Sequence, residues 1–369
     1  MTVSDPWLAR WAATLVGYSV ALRPGEVVAI SGETAAEPLL REIARVALAG
    51  GGHPVVLPTL PDADAALLAL GDDAQLDFIS PIEAFIARDA DVLIRVTAKT
   101  NTHALSGANP ARQQRHARAR TELRGEGMRR AAEGVRRWSL TLFPTAGFAM
   151  DANMATADFA EFIYTACKLD TPDPAAAWRA LSAEQARLIA WLEGRREIRL
   201  TGPDTDMRLS VAGRIWINSD GKRNFPSGEI FTGPVEDSAT GHVRFSYPVV
   251  TGGREIADIR LRFADGRVVD ASAARNEEFL IRSLDADPGA RRLGEFAFGT
   301  NFDITRFTKN ILLDEKMGGT VHMALGAGYP DTGSVNRSAI HWDMICDLRR
   351  GGLVTVDGAP FLRDGHFLV

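Results

Sequence analysis

Residues 314–344 read DEKMGGTVHMALGAGYPDTGSVNRSAIHWDM and end in an alternating run of apolar and polar side chains. In a β-strand, side chains two positions apart point to the same face of the sheet. One face of this strand would carry Ile340, Trp342, Met344 and Cys346. His341 and Asp343 would share the other face, where an imidazole beside a carboxylate suits a divalent metal ion. The alternative is a histidine that forms a salt bridge with a neighbouring acid at a sheet surface.

Two glutamates upstream have the surroundings of buried carboxylates. Glu229 lies in NFPSGEIFTGP, residues 224–234, and Glu295 lies in RLGEFAFG, residues 292–299. Each follows a glycine, which permits a close backbone approach or a positive φ, and each is followed by apolar residues. Buried carboxylates need partners, and metal ions are common partners. The alternative for either glutamate is a carboxylate that is satisfied by backbone donors or by an arginine.

The part of the chain that carries these residues predicts a β-rich domain over residues 194–369. Short alternating runs occur at residues 197–200, 207–211, 243–247 and 256–263. The pairs Asp265-Gly266 and Asp357-Gly358 are typical of hairpin turns between antiparallel strands. One helix is expected at residues 276–284. This pattern favours an antiparallel, β-rich (α+β) domain, and all the candidate ligands belong to it.

Residues 1–193 predict an α/β domain with a helical connection to the β-rich domain. Buried strands are expected at residues 27–30, 54–57 and 91–96, and the apolar spacing of residues 37–49 predicts a helix. Three glycines at residues 50–52 end that helix. Strand, helix and strand with short connections indicate a parallel sheet. No Gly-x-Gly-x-x-Gly or phosphate-loop pattern opens a helix here, so a nucleotide site is not supported.

Composition limits the possible partners and location of the protein. The chain has 369 residues, of which 46% are hydrophobic and 24% charged, which is ordinary for a soluble globular protein. Its net charge of -5 gives no electrostatic argument for nucleic acid. No apolar run reaches the ~18 residues that a membrane span needs. No signal peptide is expected, because residues 1–10 have no basic region followed by an apolar core. Cys167 and Cys346 are expected to be buried free thiols in a reducing, cytoplasmic compartment.

Several long motifs resemble the thermophilic-type metallo-aminopeptidase family. The resemblance rests mainly on residues 224–234, 293–295, 314–329 and 336–347, with further similarity at residues 22–26 and 205–207. It covers nearly the whole chain. It implies an N-terminal α/β domain, a β-rich catalytic domain, and two divalent metal ions (zinc, cobalt or manganese) that are held without cysteine. It also implies a homodimer whose active sites face an enclosed interior, and short peptides with a free N-terminus as substrates.

The family motifs assign a role to each candidate residue. The metal ligands implied by the resemblance are Glu229, Glu295, His322, His341 and Asp343. Three carboxylates and two imidazoles suffice for two ions only if one carboxylate bridges them and water fills the open positions. The family places Tyr329 beside the metals, where its hydroxyl could stabilise an oxyanion. Glu315 is the candidate acid for moving a proton to the leaving amine, although it could instead be an outer partner or a sixth ligand.

Two other functions remain open. The first is a mononuclear iron, ring-cleaving dioxygenase of the dihydroxypyridine type on the same scaffold, because two histidines and one acid are also a typical iron set. The presence of both Glu229 and Glu295 argues against it, since a single iron has no use for so many acids. The second is a non-enzymatic sugar- or peptide-binding protein, which the intact ligand set disfavours. Two metal ions per chain would indicate the aminopeptidase, and one iron would indicate the oxygenase.

Overall fold

The computed structural model describes residues 5–251 and 254–369, which form two compact units. The first unit runs to Ala177 and includes Gly221–Pro226, and the second comprises Trp178–Asp220 and Ser227–Val369. The sequence led us to expect a boundary at residue 194. The structural division comes earlier because Leu188 and Leu192, on the helix Pro174–Leu192, pack into the core of the second unit.

Helices are concentrated in the first unit and strands in the second. The helices are α1 (Pro6–Thr14), α2 (Glu37–Ala49), α3 (Ala63–Leu70), α4 (Asp73–Asp77), α5 (Pro81–Arg88), α6 (Pro110–Ala119), α7 (Thr121–Ala132), α8 (Ala146–Asp151), α9 (Thr156–Ala166), α10 (Pro174–Leu192), α11 (Glu277–Leu284) and α12 (Ile311–Asp314). The strands are β1 (Val27–Glu33), β2 (His53–Thr59), β3 (Val92–Thr97), β4 (Arg137–Leu142), β5 (Glu197–Gly202), β6 (Thr205–Ser210), β7 (Ile217–Ser219), β8 (Asn224–Phe225), β9 (Glu229–Thr232), β10 (Thr240–Phe245), β11 (Val249–Thr251), β12 (Arg254–Ile256), β13 (Ile259–Ala264), β14 (Arg267–Ser272), β15 (Leu293–Gly299), β16 (Val321–Gly326), β17 (His341–Cys346), β18 (Leu353–Val356), β19 (Ala359–Arg363) and β20 (His366–Phe367). Within the described ranges, no helix is both long and apolar enough to cross a membrane.

The first unit is built on a parallel sheet, as the sequence predicts. Its strand order is β2-β1-β3-β4-β8, and each neighbouring pair is parallel. Helix α2 spans Glu37–Ala49, as predicted, and its buried face repeats at helical spacing through Leu39, Leu40, Ile43 and Ala47. Gly51, just after the helix, has a φ of 78°. Glycine adopts this left-handed conformation at little cost, and the conformation ends the helix. The α/β prediction is therefore confirmed.

The second unit is antiparallel and β-rich, also as predicted. One sheet has the order β14-β13-β10-β6-β5-β18-β19-β20, and a second has the order β17-β16-β15-β9-β7. The expected hairpin turns at Asp265-Gly266 and Asp357-Gly358 are present, and all four residues have positive φ. The run at residues 256–263 is not one strand. It breaks into β12 and β13 because Asp258 adopts a φ of 53°, which a continuous strand does not allow.

The five-stranded sheet β17-β16-β15-β9-β7, called the site sheet below, has one apolar face. The alternation predicted for β17 is confirmed, since Trp342 and Met344 are buried while His341 is exposed. The apolar face packs into the core of the second unit through Phe296, Phe298, Val321, Met323, Leu325, Trp342 and Met344. Cys346 continues this face as a buried free thiol. The opposite face of the site sheet carries the candidate ligands.

Candidate metal centre

All five predicted ligands lie on the site sheet. Glu229 begins β9, Glu295 is on β15, and His322 is on β16. His341 and Asp343 are on β17, which forms one edge of the sheet. The sheet therefore gathers residues that are separated by more than a hundred positions in the chain.

The strand register explains why these side chains meet. Glu295 pairs with Ala324, and Ala324 pairs with Asp343, so the three residues form one row across three strands. Residues in one row point to the same face, as do residues two positions apart along a strand. His322 and His341 lie two positions from Ala324 and Asp343, respectively. They therefore share the face of Glu295.

Small residues leave room for the polar side chains to converge. Glu229 pairs with Gly299, and His322 pairs with Ala297 on the neighbouring strand. The expected function of the glycines before the two glutamates also holds. Gly228 has a φ of 117°, and a Cβ there would meet Asn301 Cβ at 2.6 Å. A Cβ on Gly294 would meet the carbonyl oxygens of residues 326 and 327, so this glycine permits a close backbone approach.

Glu229, Glu295 and His322 form a buried cluster, which we call the inner group. One ligand atom from each residue lies within 4.8 Å of the others. His322 Nε2 is 3.4 Å from Glu229 Oε2 and 3.3 Å from Glu295 Oε1. All three residues are buried: Glu229 is 4% exposed, Glu295 is 4% exposed and His322 is 1% exposed. Such a cluster of nitrogen and oxygen donors could hold a metal ion.

Glu295, His341 and Asp343 form a second cluster, the outer group, which is more exposed. His341 Nε2 is 3.3 Å from Glu295 Oε2 and 3.4 Å from Asp343 Oδ1. Glu295 thus directs one carboxylate oxygen to each histidine. Its carboxylate is shared by the two groups in the way that a bridging ligand would be. A third cluster joins Glu315, His322 and Asp343 by the same 4.8 Å limit.

Backbone carbonyls orient both imidazoles. His322 Nδ1 lies 3.0 Å from the Glu315 carbonyl oxygen, and His341 Nδ1 lies 2.7 Å from that of Ala327. A carbonyl can only accept, so each Nδ1 carries the proton and donates it. In a neutral ring this leaves the lone pair on Nε2, which faces the carboxylates. Metal-binding histidines are commonly held by such a contact at the other ring nitrogen.

The charges of the site favour cations. Burial alone would lower the pKa of both histidines, but neighbouring carboxylates raise it, to about 9 for His322 and to about 11 for His341. Burial alone would raise the pKa of Glu295, but contacts with these two histidines lower it to about 2. Glu229 Oε2 and Asp343 Oδ1 are buried and accept no hydrogen bond from the described residues. Orphaned carboxylate oxygens beside two imidazoles fit a site for divalent metal ions.

Lys316 is one further member of the site, and no sequence signal indicated it. It has no exposed surface, and its ammonium group contacts Glu315 and lies 2.9 Å from Glu229 Oε1. Lysine side chains are normally exposed to solvent, so the residue type does not predict that Lys316 is buried. Burial of the Glu315 carboxylate raises its pKa to about 8, although Lys316 lowers it. Glu315 is thus part of the site.

Tyr329 lies at the open side of the site. Its ring meets the His341 ring edge-on, with centroids 5.1 Å apart, and its centroid is 5.4 Å from that of Phe231 on β9. It is 42% exposed. Partial burial and the neighbouring carboxylates, Glu295 first, raise the pKa of its phenol, which therefore stays protonated and can donate a hydrogen bond. The structure brings together every residue that the sequence singled out.

The fold and this donor set fit a metal-dependent enzyme. The family model of thermophilic metalloproteases (M29) matches residues 4–367, and the chain belongs to this family. Aminopeptidase 2 from Geobacillus stearothermophilus is 28% identical over 98% of this chain and 97% of its own. Aminopeptidase T from Thermus thermophilus is 31% identical over 72% of this chain and 74% of its own. The enzyme is accordingly a hydrolase of the metallo-aminopeptidase class.

Two solved structures share the fold over nearly the whole chain. Wild-type AmpT from Thermus thermophilus has a TM-score of 0.87 and 26% identity, covering 98% of this chain and 99% of that one. The 2,5-dihydroxypyridine dioxygenase from Pseudomonas putida KT2440 has a TM-score of 0.61 and 13% identity, covering 100% of this chain and 98% of that one. The second likeness shows the fold alone.

Proposed function

We propose that this enzyme releases N-terminal amino acids from short peptides with two divalent metal ions, one in the inner group and one in the outer group. The observation that carries the proposal is the position of Glu295, whose two carboxylate oxygens are each 3.3 Å from a different histidine Nε2. A single ion would need only one of these groups. A shared carboxylate is what a pair of ions about 3.5–4 Å apart requires.

The donor set also limits the metal. The proposed ligands Glu229, Glu295, His322, His341 and Asp343 offer oxygen and nitrogen only, which suits zinc, cobalt or manganese. When bound, such ions supply a water of lowered pKa and polarise the scissile carbonyl. The chain's own residues would then position the substrate and move the protons.

Glu315 and Tyr329 are the proposed catalytic residues. Glu315 belongs to the cluster with His322 and Asp343, so its carboxylate is close enough to the ligands to take a proton from the attacking water. The same carboxyl group would pass that proton to the leaving amine. Tyr329 packs against His341, and its protonated hydroxyl would donate to the oxyanion that develops on the substrate carbonyl.

The charge of the site supports action at the N-terminus of a peptide. Four carboxylates converge here, those of Glu229, Glu295, Glu315 and Asp343. A carboxylate oxygen that no ion occupies would attract the free α-ammonium of a substrate locally, whatever the net charge of the loaded site. The family resemblance further suggests a homodimer with enclosed active sites, which would exclude folded proteins. The two buried free thiols, Cys167 and Cys346, suggest a reducing, cytoplasmic location.

Metal content and hydrolysis should be measured on the same preparations. The protein is demetallated, titrated with zinc, cobalt or manganese, and assayed on a panel of amino-acid anilides and short peptides with free or acetylated N-termini. We expect two ions per chain, activity that follows the metal, and near inactivity on acetylated peptides, which lack the terminal charge. Full activity without metal, or rapid cleavage of acetylated peptides at internal bonds, would refute the proposal. One iron per chain with oxygen-dependent ring cleavage would instead support the dioxygenase.

A further inference from the structure

Lys316 is the unusual group of the site, because a fully buried ammonium is rare. It has no exposed surface and follows α12 in the turn that leads to β16. Its backbone is fixed on both sides, since its amide donates to the Leu313 carbonyl and its carbonyl accepts from the Asn301 amide, each at 3.0 Å. A buried charge of this kind is costly unless ionic partners surround it.

The partners of Lys316 are both carboxylates of the site. The ammonium lies 2.9 Å from Glu229 Oε1 and also contacts Glu315. Two carboxylates in direct contact compensate the buried ammonium, so the group stays cationic. Glu229 consequently has one oxygen engaged by Lys316 and the other, Oε2, directed to His322 at 3.4 Å. Lys316 therefore leaves Glu229 a single oxygen for a metal ion.

We propose that Lys316 is a positioning residue that sets the charge of the metal centre and limits how tightly the centre holds its ions. This inference rests on the dinuclear site proposed above. Burial raises the pKa of Glu315 in the metal-free site, but two bound ions together with Lys316 would hold this carboxylate ionised. With Glu229, Glu295, Glu315 and Asp343 ionised in the loaded site, Lys316 brings the net charge of these side chains from minus four to minus three. Two divalent ions would then leave a net charge of plus one, which complements the negative charge that develops on the substrate during hydrolysis.

Without Lys316 the loaded site would be neutral, and the ammonium would no longer repel the metal ions. Each ion would then bind more tightly, because a unit charge a few ångströms away is weakly screened in a buried site. If Lys316 only filled space or held Glu229 in place, its removal would have the opposite effect. The Glu229 ligand would become more mobile, and metal binding would weaken.

The test measures cobalt affinity with purified, metal-free protein. Cobalt absorption bands report the coordination geometry, and a competing chelator gives the dissociation constants. The variants are Lys316→Met, Glu315→Gln and the double variant, which restores the original net charge. Lys309→Met is the matched control, because Lys309 pairs with Glu255 at 2.8 Å and is outside the candidate groups.

For Lys316→Met we expect at least tenfold tighter cobalt binding with wild-type absorption bands, and a lower melting temperature of the metal-free protein. The double variant should return to within threefold of the wild-type affinity and recover most of the melting temperature. Lys309→Met should bind cobalt like the wild type. Weaker cobalt binding in Lys316→Met, altered bands, or a double variant that keeps the affinity of Lys316→Met would overturn the inference. So would a failure of both Lys316 variants to fold, which would indicate a packing role. If the wild type itself binds fewer than two ions, the dinuclear proposal fails first.

Discussion

The inner and outer groups share Glu295 but differ in how the protein surrounds them. The inner histidine, His322, is on a central strand and is 1% exposed, whereas the outer histidine, His341, is on the edge strand β17 with a side chain that is 27% exposed. Both donate Nδ1–H to a backbone carbonyl, so the two rings are oriented by the same device. This difference shows that the orientation of the ligands and their exposure to solvent have separate structural causes. If each group holds an ion as proposed, strand position decides which ion is sealed and which faces the substrate.

The residues that hold the two groups in place also differ between the inner and the outer group. Behind the inner group, the Gln185 side chain donates to the Glu229 carbonyl at 2.6 Å and to Thr300 Oγ1 at 3.0 Å. The outer group depends on the loop that joins β16 to β17, which supplies the Ala327 carbonyl and Tyr329. We therefore expect the inner ion to exchange slowly and the outer ion to exchange quickly.

The largest effect is expected from Glu295→Gln, because this change removes the charge that both groups share. Loss of an outer partner of a metal ligand typically weakens binding 10–100-fold, so a shared ligand should cost more than about 100-fold for both ions. Metal analysis after gel filtration should find well under one ion per chain, with activity lost in proportion. A glutamine variant that keeps two ions and normal turnover would show that the two groups are not coupled through Glu295.

The next effect separates the groups directly. His341→Gln should retain the inner ion and lose the outer one, giving about one ion per chain. His322→Gln removes a buried donor from the inner group and should also lower stability by about 1–3 kcal/mol, since Glu295 Oε1 loses its hydrogen-bond partner. Metal analysis combined with urea unfolding measures both quantities. Equal metal loss and equal destabilisation in the two variants would remove the distinction between the groups.

Tyr329→Phe should leave the metal content intact and act on turnover only. Removal of one hydrogen-bond donor to an oxyanion typically lowers kcat by about 100-fold or more. The phenyl ring preserves the packing against His341 and Phe231, so KM should change little. Tyr247→Phe serves as the control, because Tyr247 bonds to Asp347 at 3.0 Å and is outside the candidate groups. Loss of metal in Tyr329→Phe would mean that the phenol is a ligand.

Much of the fold was predictable because local signals and tertiary structure agree. Helix α2 begins and ends where apolar spacing and glycines indicate, and the Asp-Gly turns join antiparallel strands as expected. The ligand face of β17 was also predictable, because period-two alternation fixes which side chains are buried. The roles of the ligands in binding metal came from motif resemblance and stay predictions.

The remaining features depend on distant contacts that have no local signal. Lys316 is buried because Glu229, which is far away in the chain, lies beside it in the folded sheet. Gln185 looks like an ordinary polar residue of α10, yet it is fully buried behind β9. The break between β12 and β13 occurs at Asp258, which has a positive φ although it is not a glycine, so the sequence does not indicate it. Each case depends on partners that only the folded sheet brings together.

The smallest effect, and the sharpest test of the inner group's support, is expected from Gln185→Met. Methionine keeps the length of the side chain but cannot donate to the Glu229 and Ser219 carbonyls, which Gln185 contacts at 2.6 and 3.2 Å. Leaving buried acceptors without a donor should cost about 1–3 kcal/mol of unfolding free energy. Because Gln185 contacts the backbone of β9, the slowly exchanging ion should be released up to about tenfold faster to a chelator, while the quickly exchanging ion is unaffected. Arg187→Met, on the exposed side of the same helix, should stay within about 0.5 kcal/mol of the wild type. Equal acceleration of both ions would mean that Gln185 supports the sheet as a whole and that the inner group has no separate support.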